Sequence, residues 1–401
     1  LQPSLPQLAL DQVDGRVAGR RTAKGYSGEI RRLAVTTADG IAVPSADVSL
    51  GVVTTGQRAV GEFRADRLDL AVLAGLADHF PLPEALRDKL RSFAPRGRLT
   101  DLNLVWGGRI EAPERWQIKG AFADLALAAR HELPGFSGIS GRLEGNEKSG
   151  QVHLASRNAT LDLPAVFSEP TLALANLEAE IGWRAKAGAT DILLQRMVFV
   201  NADAKGEATG NYRYTGAGLG DIDLSAKLTD AAGNAVWRYM PLVVNKDARD
   251  WLRTSIVGGR ADSASLRLKG PLAQFPFRDG KGGIFQVKGS FRGATLEYAT
   301  GWPGITDIDG ELLFEGVRML IRGQRAAIMG VGLTEVRAEI ADLEMPEELL
   351  VVTGRARGET QRFLDFIEAS PVGRRIDHFT ETIAATGNGE LDLKLVMPLR
   401  K

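Results

Sequence analysis

The chain has 401 residues, with 50 lysines and arginines against 50 aspartates and glutamates and no cysteine. A net charge of zero argues against a nucleic-acid binder, which needs a basic footprint to displace counterions from phosphates. The missing cysteine excludes disulfides, thiolate nucleophiles and cysteine-ligated zinc, and no uncharged apolar run approaches the ~20 residues that a membrane span requires.

In chain order, the first cluster is cationic: Arg16, Arg20, Arg21, Lys24, Arg31 and Arg32. It suits an anionic membrane surface or a groove edge. With acids such as Glu29 nearby, it is read as a solvated strand face. "PLPEALRDKLRSFA" then spaces Leu82, Leu86, Leu90 and Phe93 at helical intervals, and "APRGR" stops the predicted helix. "TDLNLVW" follows with Leu102, Leu104 and Trp106 in alternation, and "DIDLSAKL" repeats the pattern with Ile222, Leu224, Ala226 and Leu228. Period two predicts half-buried strands with one apolar and one wet face.

"KDARDWLRTSIVGG" predicts a second helix through Ala248, Trp251, Leu252 and Ile256. After it the alternation resumes with Leu266 and Leu268, then Val317, Met319 and Ile321 in "VRMLIRG", then Val336, Ala338 and Ile340. "PVGRRIDHFTETIAA" predicts a third helix through Val372, Ile376, Phe379 and Ile383, ended by "ATGNGE" before Leu391, Leu393 and Leu395 alternate in "ELDLKLVM". Intervening residues such as Asn103, Asp223, Arg267, Asp392 and Lys394 are too polar for a face packed under helices, so antiparallel pairing is expected.

One stretch occurs twice. "QIKGAFADLALAARHELPGFSGISGRL" (117–143) aligns without a gap on "QVKGSFRGATLEYATGWPGITDIDGEL" (286–312), sharing Lys119/Lys288, Gly120/Gly289, Phe122/Phe291, Leu127/Leu296, Ile139/Ile308, Gly141/Gly310 and Leu143/Leu312 among others. The unit reads as a helix, a glycine turn and a long meander. Three such units are expected, over residues 1–112, 113–272 and 273–401, as one elongated domain. The opening at leucine without a leader pattern, and the close on an alternating strand, read as a segment of a longer polypeptide.

Chemistry is scarce. His79, His131, His153 and His378 show no metal-ligand spacing. "GFSGISG" lacks the flanking glycines of a nucleophile elbow at Ser137 or Ser140. Asp307 and Asp309 could form an acid/base pair, but the first copy has Gly138 and Ser140 there, so a solvated turn is expected. "RDGKGG" and "TGAGLGD" lack the spacing of a phosphate loop and are read as loops. The "NAT" at Asn158 is a chance sequon. No catalytic residue, metal site or cofactor is expected.

What remains is apolar surface. A mainly β fold is expected: an elongated, curved antiparallel groove built from repeats and punctuated by a few short helices. About 25 strands at ~4.8 Å spacing would make a trough of roughly 120 Å. Two sixteen-carbon chains cost roughly 25 kcal/mol to expose to water, and an open apolar trough removes most of that cost. The lining is taken from the strand alternation: Leu102, Leu104, Ile222, Leu224, Leu266, Leu268, Val317, Met319, Ile321, Leu391, Leu393 and Leu395. Two other readings stand beside it, an envelope scaffold with a closed β core and a polysaccharide-active enzyme on a solenoid.

Three blocks carry a resemblance. Phe63–Gly108, with its helix and "PRGRL", resembles a signature of the YhdP branch of the bacterial AsmA-like proteins. Met240–Phe277, including "WLRTSIVGGRADSASLRLKGPLAQFPF", is similar to a second block, with "WPGITDIDGEL" beside it, and Gly358–Leu399 to a third. The resemblance implies an internal segment of a protein anchored in the inner membrane of Gram-negative bacteria and extending through the periplasm. It would carry phospholipids toward the outer membrane, meet membranes through parts of the parent absent here, and have room for envelope protein partners. It supplies no catalytic motif.

Overall fold

Alternation becomes long antiparallel strand nearly everywhere. The computed structural model describes residues 5–399 apart from Gln57, Pro81, Ile110, Glu111, His131, Glu132 and Asp279. It divides into two units, Leu1–Ala202 and Asp203–Lys401. The first holds β1 (Leu10–Thr22), β2 (Gly25–Thr37), β3 (Ala42–Thr55), β4 (Arg58–Asp69), β5 (Arg96–Arg109), β6 (Ala112–Leu127), β7 (Gly135–Asn146), β8 (Ser149–Asp162), β9 (Thr171–Lys186) and β10 (Ala189–Val200). Helices α1 (Leu70–Gly75) and α2 (Glu84–Phe93) lie between β4 and β5.

The second unit holds β11 (Lys205–Tyr214), β12 (Asp221–Ala232), β13 (Ile256–Pro271), β14 (Ile284–Leu296), β15 (Ile305–Glu315), β16 (Arg318–Ile328), β17 (Val331–Ile340), β18 (Leu349–Glu359) and β19 (Asn388–Pro398). Helix α3 (Lys246–Ser255) joins β12 to β13, and α4 (Thr360–Ala369) with α5 (Pro371–Arg375) joins β18 to β19. Within each unit every strand pairs antiparallel with its chain neighbours. Among the described residues the first and last strands of a unit do not pair with each other, so both sheets are open. The expected mainly β, repeat-built sheet is what the chain forms. Its described strands number nineteen rather than about 25, because many run to 12–16 residues.

A recurring break shapes these strands. Arg32, Asp101, Asp124 and Asn158 in the first unit, and Asp230, Asp307 and Glu335 in the second, have φ between 51° and 60° in mid-strand. The pairing of β2, β5, β6, β15 and β17 slips by a residue or two beside these positions. Such a bulge leaves an amide without a ladder partner. Short polar side chains on the next strand accept it: Arg32 N donates to Asp47 Oδ1 at 2.7 Å, and Asp47 N to Asp66 Oδ1 at 2.7 Å. Asp124 N donates to Ser140 Oγ at 3.0 Å, Ser140 N to Ser156 Oγ at 2.9 Å, and Gly293 N to Asp309 Oδ1 at 2.9 Å. Each extra residue resets the alternation, so Phe122 and Leu125 face the same way although they are three apart.

The duplicated stretch is explained by cross-strand pairs. Phe122 pairs with Gly141 and Phe291 with Gly310. In both, a Cβ added to the glycine would meet the ring Cζ at 3.0 Å and collide with a carbonyl oxygen, that of His153 or Arg322. Trp106 covers Gly61, its register partner, and Trp183 covers Gly150 in the same way. The ring lies along the sheet over the missing side chain, as in aromatic rescue of a strand glycine. Gly120 opposite Leu143 and Gly289 opposite Leu312 form a second duplicated pair.

Helices brace the strand ends. Phe93 O, at the end of α2, accepts from Ala128 N at 2.8 Å, and Ser255 O, at the end of α3, accepts from Glu297 N at 2.8 Å. Each helix is thereby tied to the loop two strands later. Asn245 caps α3 by accepting from Ala248 N at 2.7 Å. The third predicted helix is misplaced. The long helix is α4, while the predicted span holds only α5 and a run of turns. Asp377 and His378 have positive φ, which ends helical continuation, and Glu368 holds the turn by accepting from Thr380 Oγ1 and contacting His378 Nδ1 at 2.7 Å.

Gly310→Val is expected to destabilise the chain by about 3 kcal/mol or more, since backbone rather than a movable side chain blocks the new Cβ. Urea unfolding checks it, and an unchanged midpoint contradicts the ring-over-glycine account.

Candidate functional site

Following the register from strand to strand separates two unlike faces in each unit. In the first, Val48 pairs with Ala65, Leu50 with Phe63 and then Leu104, and Leu104 with Ile118. Farther along, Leu143 pairs with Val152, Val152 with Ile181, and Ile181 with Leu194. In the second unit Leu224 pairs with Leu268, Leu268 with Phe285, and Leu266 with Val287 and then Phe314. Phe314 pairs with Met319, Met319 with Ile340, and Val352 with Leu395. Directly paired residues share a face, so each unit carries an apolar face from strand to strand.

The other face is ionic. Arg267 contacts Asp223, Lys269 lies 3.4 Å from the same carboxylate, Arg318 and Arg337 share Glu339 at 2.5 and 2.7 Å, and Lys119 meets Glu144 at 3.3 Å. The arginine partners hold the Asp223 and Glu339 carboxyls below the usual carboxylate range. These pairs are largely exposed and contribute little individually. Their effect is to make one face wet, while the other carries no charge along the apolar pairs named above; in the first unit Arg21, at the β1 edge, falls in register with that face through Tyr26 and Val52.

Eleven of the twelve residues drawn from the alternation fall on strands, and in each unit they share the apolar face. Leu102 and Leu104 do so in the first. In the second, Leu224 and Leu268 are direct partners, as are Val352 and Leu395, and Ile222, Leu266, Met319, Ile321, Leu391 and Leu393 are in phase with them. Val317 does not join them. It occupies the turn between β15 and β16, and at 9 % exposure it plugs that turn instead of lining a face. Leu102, Leu104, Ile222, Leu224, Leu266, Leu268, Met319 and Ile321 are half-buried. On β19, Leu391, Leu393 and Leu395 are 48 %, 37 % and 41 % exposed. Only in the first unit do described residues form a closed apolar cluster, Ile139, Ala159, Leu174 and Leu177, flanked by Phe122 and Phe199.

Sequence reasoning listed none of Phe63, Ile118, Val152, Ile181, Phe285 or Val287 for this face. Their strands interrupt the alternation with glycine, in "GEFRA", "IKGAF" and "FQVKGS", and the cross-strand pairing is what places them. The chemistry-bearing candidates resolve into structure. Asp307 is a bulge residue and Asp309 accepts the Gly293 amide, so both lie in β15 rather than in a turn. Ser140 belongs to the bulge ladder. His131 lies outside the described residues. No group of three or more His, Cys, Asp or Glu among the described residues could hold a metal, and no described helix is long and apolar enough to cross a membrane. Of the basic cluster, Arg31 pairs with Glu29 at 2.6 Å, and β1 is exposed throughout.

Asp309 gives a pH test of the ladder. The Gly293 amide first, and Arg325 at 2.8 Å, hold its carboxyl below the usual range. A depressed carboxyl contributes stability above its unfolded pKa and loses it as pH falls through the folded one. Asp309→Ala is therefore expected to lower the melting temperature near pH 7, with a smaller deficit near pH 2 to 3. Thermal melts at both pH values check it, and an equal deficit at both contradicts it.

The intermembrane phospholipid transporter YhdP of Escherichia coli (strain K12) is 27% identical over 340 residues, which are 84% of this chain and 26% of that protein. The chain thus spans about a quarter of that relative's length. No solved structure matches it. The model of the family described as YhdP protein matches residues 1–401, and the chain belongs to the YhdP family.

Proposed function

We propose that the chain is a segment of a larger phospholipid carrier, and that the apolar face of each unit receives acyl chains while headgroups stay in water. The observation that supports this most is the run of half-buried apolar pairs crossing the strands of each open sheet with no charged residue among them. A soluble monomer commonly leaves no more than a few hundred Å² of contiguous apolar surface bare, so a face of this kind calls for a cover. Acyl chains would cover it at about 0.8 kcal/mol per methylene withdrawn from water.

The name of the Escherichia coli relative, a transporter of phospholipids between membranes, supports the same reading. In it, the segment lies in the periplasm as part of a parent anchored in the inner membrane, and works by surface rather than by catalysis. Leu102, Leu104, Ile222, Leu224, Leu266, Leu268, Met319, Ile321, Leu391, Leu393 and Leu395 contact the chains, and Val317 seals a turn beside them. Glycines under aromatic rings keep the floor shallow, so chains can slide without meeting projecting rings.

Transfer of a fluorescent phospholipid between donor and acceptor vesicles by the purified chain tests this. Leu224→Glu with Leu266→Glu places two carboxylates on the apolar face and is expected to reduce the transfer rate at least about tenfold, given the cost of an ion against acyl chain. Ser225→Glu, on the polar face of the same strand, is expected to leave it within about twofold. Equal effects of the two, or no transfer by the unaltered chain, contradict the reading.

A further inference from the structure

The polar face of the second unit holds an irregularity that lipid carriage does not use. Between β12 and β17 seven of the ten strand cations are paired: Arg260 with Asp230, Arg267 and Lys269 with Asp223, Arg292 with Asp262, Arg318 and Arg337 with Glu339, and Arg325 with Asp309. Among the described residues of these strands, the cations without a carboxylate within 4 Å are Lys227, Lys288 and Arg322. All three line one open hollow of about 500 Å³.

The register explains the grouping. Lys227 pairs with Ser265, Ser265 with Lys288, and Lys288 with Leu313; one step along, Ser263 pairs with Ser290, Ser290 with Glu311, and Glu311 with Arg322. Neighbouring strands lie ~4.8 Å apart, so Lys227 and Lys288 flank the hollow with their stems about 10 Å apart. The serine hydroxyls stand between the cations. Leu313 and the 3 % exposed Leu320 form an apolar border.

The first unit has the same lysine in a different setting. Lys119, the counterpart of Lys288, faces Glu144 across β6 and β7 and pairs with it at 3.3 Å. The residue opposite Lys288 is Leu313. The duplicated module thus neutralises its lysine in one copy and leaves it free in the other, beside two further unpaired cations.

We propose that this hollow is a binding site for a phosphate group, separate from the apolar face. Lys227, Lys288 and Arg322 supply the charge, and Ser263, Ser265 and Ser290 supply hydroxyl donors to the remaining oxygens. Several donors converging from different directions suit a tetrahedral oxyanion better than a planar carboxylate. Glu311, the single acid in the lining, leaves the side chains at a net charge of two positive and favours a group that also presents a hydroxyl or an ammonium.

Calorimetric titration of the whole chain at constant ionic strength tests the site, with inorganic phosphate, glycerol 3-phosphate and glycerophosphoglycerol as probes. Saturable binding of one equivalent of at least one probe is expected. Leu313→Glu reproduces the Lys119–Glu144 pairing and is expected to weaken it at least about tenfold. Lys288→Gln with Arg322→Gln is expected to do the same, while Lys394→Gln, an unpaired cation of the same face outside the hollow, leaves it within about twofold.

Tightest binding of the diester glycerophosphoglycerol assigns a lipid headgroup as the source, and tightest binding of inorganic phosphate or the monoester assigns a soluble one. No saturable binding, an equal loss in Lys394→Gln, or binding of a polyglutamate peptide with no phosphate binding overturns the proposal. The polar-face changes leave the apolar face untouched, so vesicle transfer reports on that reading separately.

Discussion

The fold depends on keeping one face of a long strand free of charge while the strand changes direction. An unbroken period of two would do so only for a regular strand, and each single-residue slip would turn the apolar set outward. The bulges at Asp101, Asp124, Asp307 and Glu335 resolve this by inserting one residue and resetting the phase. Such breaks can orphan an amide: that of Asp124 is accepted by Ser140, and at other irregular places those of Arg32, Asp47, Ser140 and Gly293 are accepted by Asp47, Asp66, Ser156 and Asp309. Polar side chains in mid-sheet thus support the apolar face rather than interrupt it. The aromatic-on-glycine pairs serve the same face by turning bulky rings parallel to its surface.

This division also separates two kinds of energetics. On the polar face, exposed ion pairs are individually weak and screened by salt, so their arrangement can vary between repeats at little cost. On the apolar face less freedom exists, because a charge would interrupt the run of paired apolar residues. The contrast between Lys119 with Glu144 and Lys288 with Leu313 is the kind of divergence that the first condition allows. The shared Phe, Gly and Leu positions are what the second enforces.

Much of this was legible in the residues. Alternation alone placed Leu102, Leu104, Leu224, Leu268 and Leu395 in the right phase, because period two is a direct record of half-burial. The duplication located the module before its geometry was visible. Val317 was misassigned because alternation cannot see a turn: the phase continues through Val317, but the strand begins at Arg318. The third helix was displaced because "PVGRRIDHFTETIAA" has helical spacing, while the left-handed backbone at Asp377 and His378 has no periodic signature. A signal for α4 was present in Phe363, Phe366 and Ile367, which recur at helical intervals. The bulges also had a signal: two consecutive polar residues where one apolar residue is due, as in Thr100–Asp101, Thr306–Asp307 and Thr334–Glu335. Cross-strand partners had none, because register is decided by the whole sheet.

In the proposed function, lipid meets one phase of these strands and not the other. A photoreactive residue placed in turn at Leu266, Arg267, Leu268 and Lys269 along β13, within the full-length parent in cells, tests it most directly. Crosslinked phospholipid is expected at Leu266 and Leu268, with none above background at Arg267 and Lys269. Equal crosslinking in both phases, or lipid at neither with protein crosslinks instead, would contradict it.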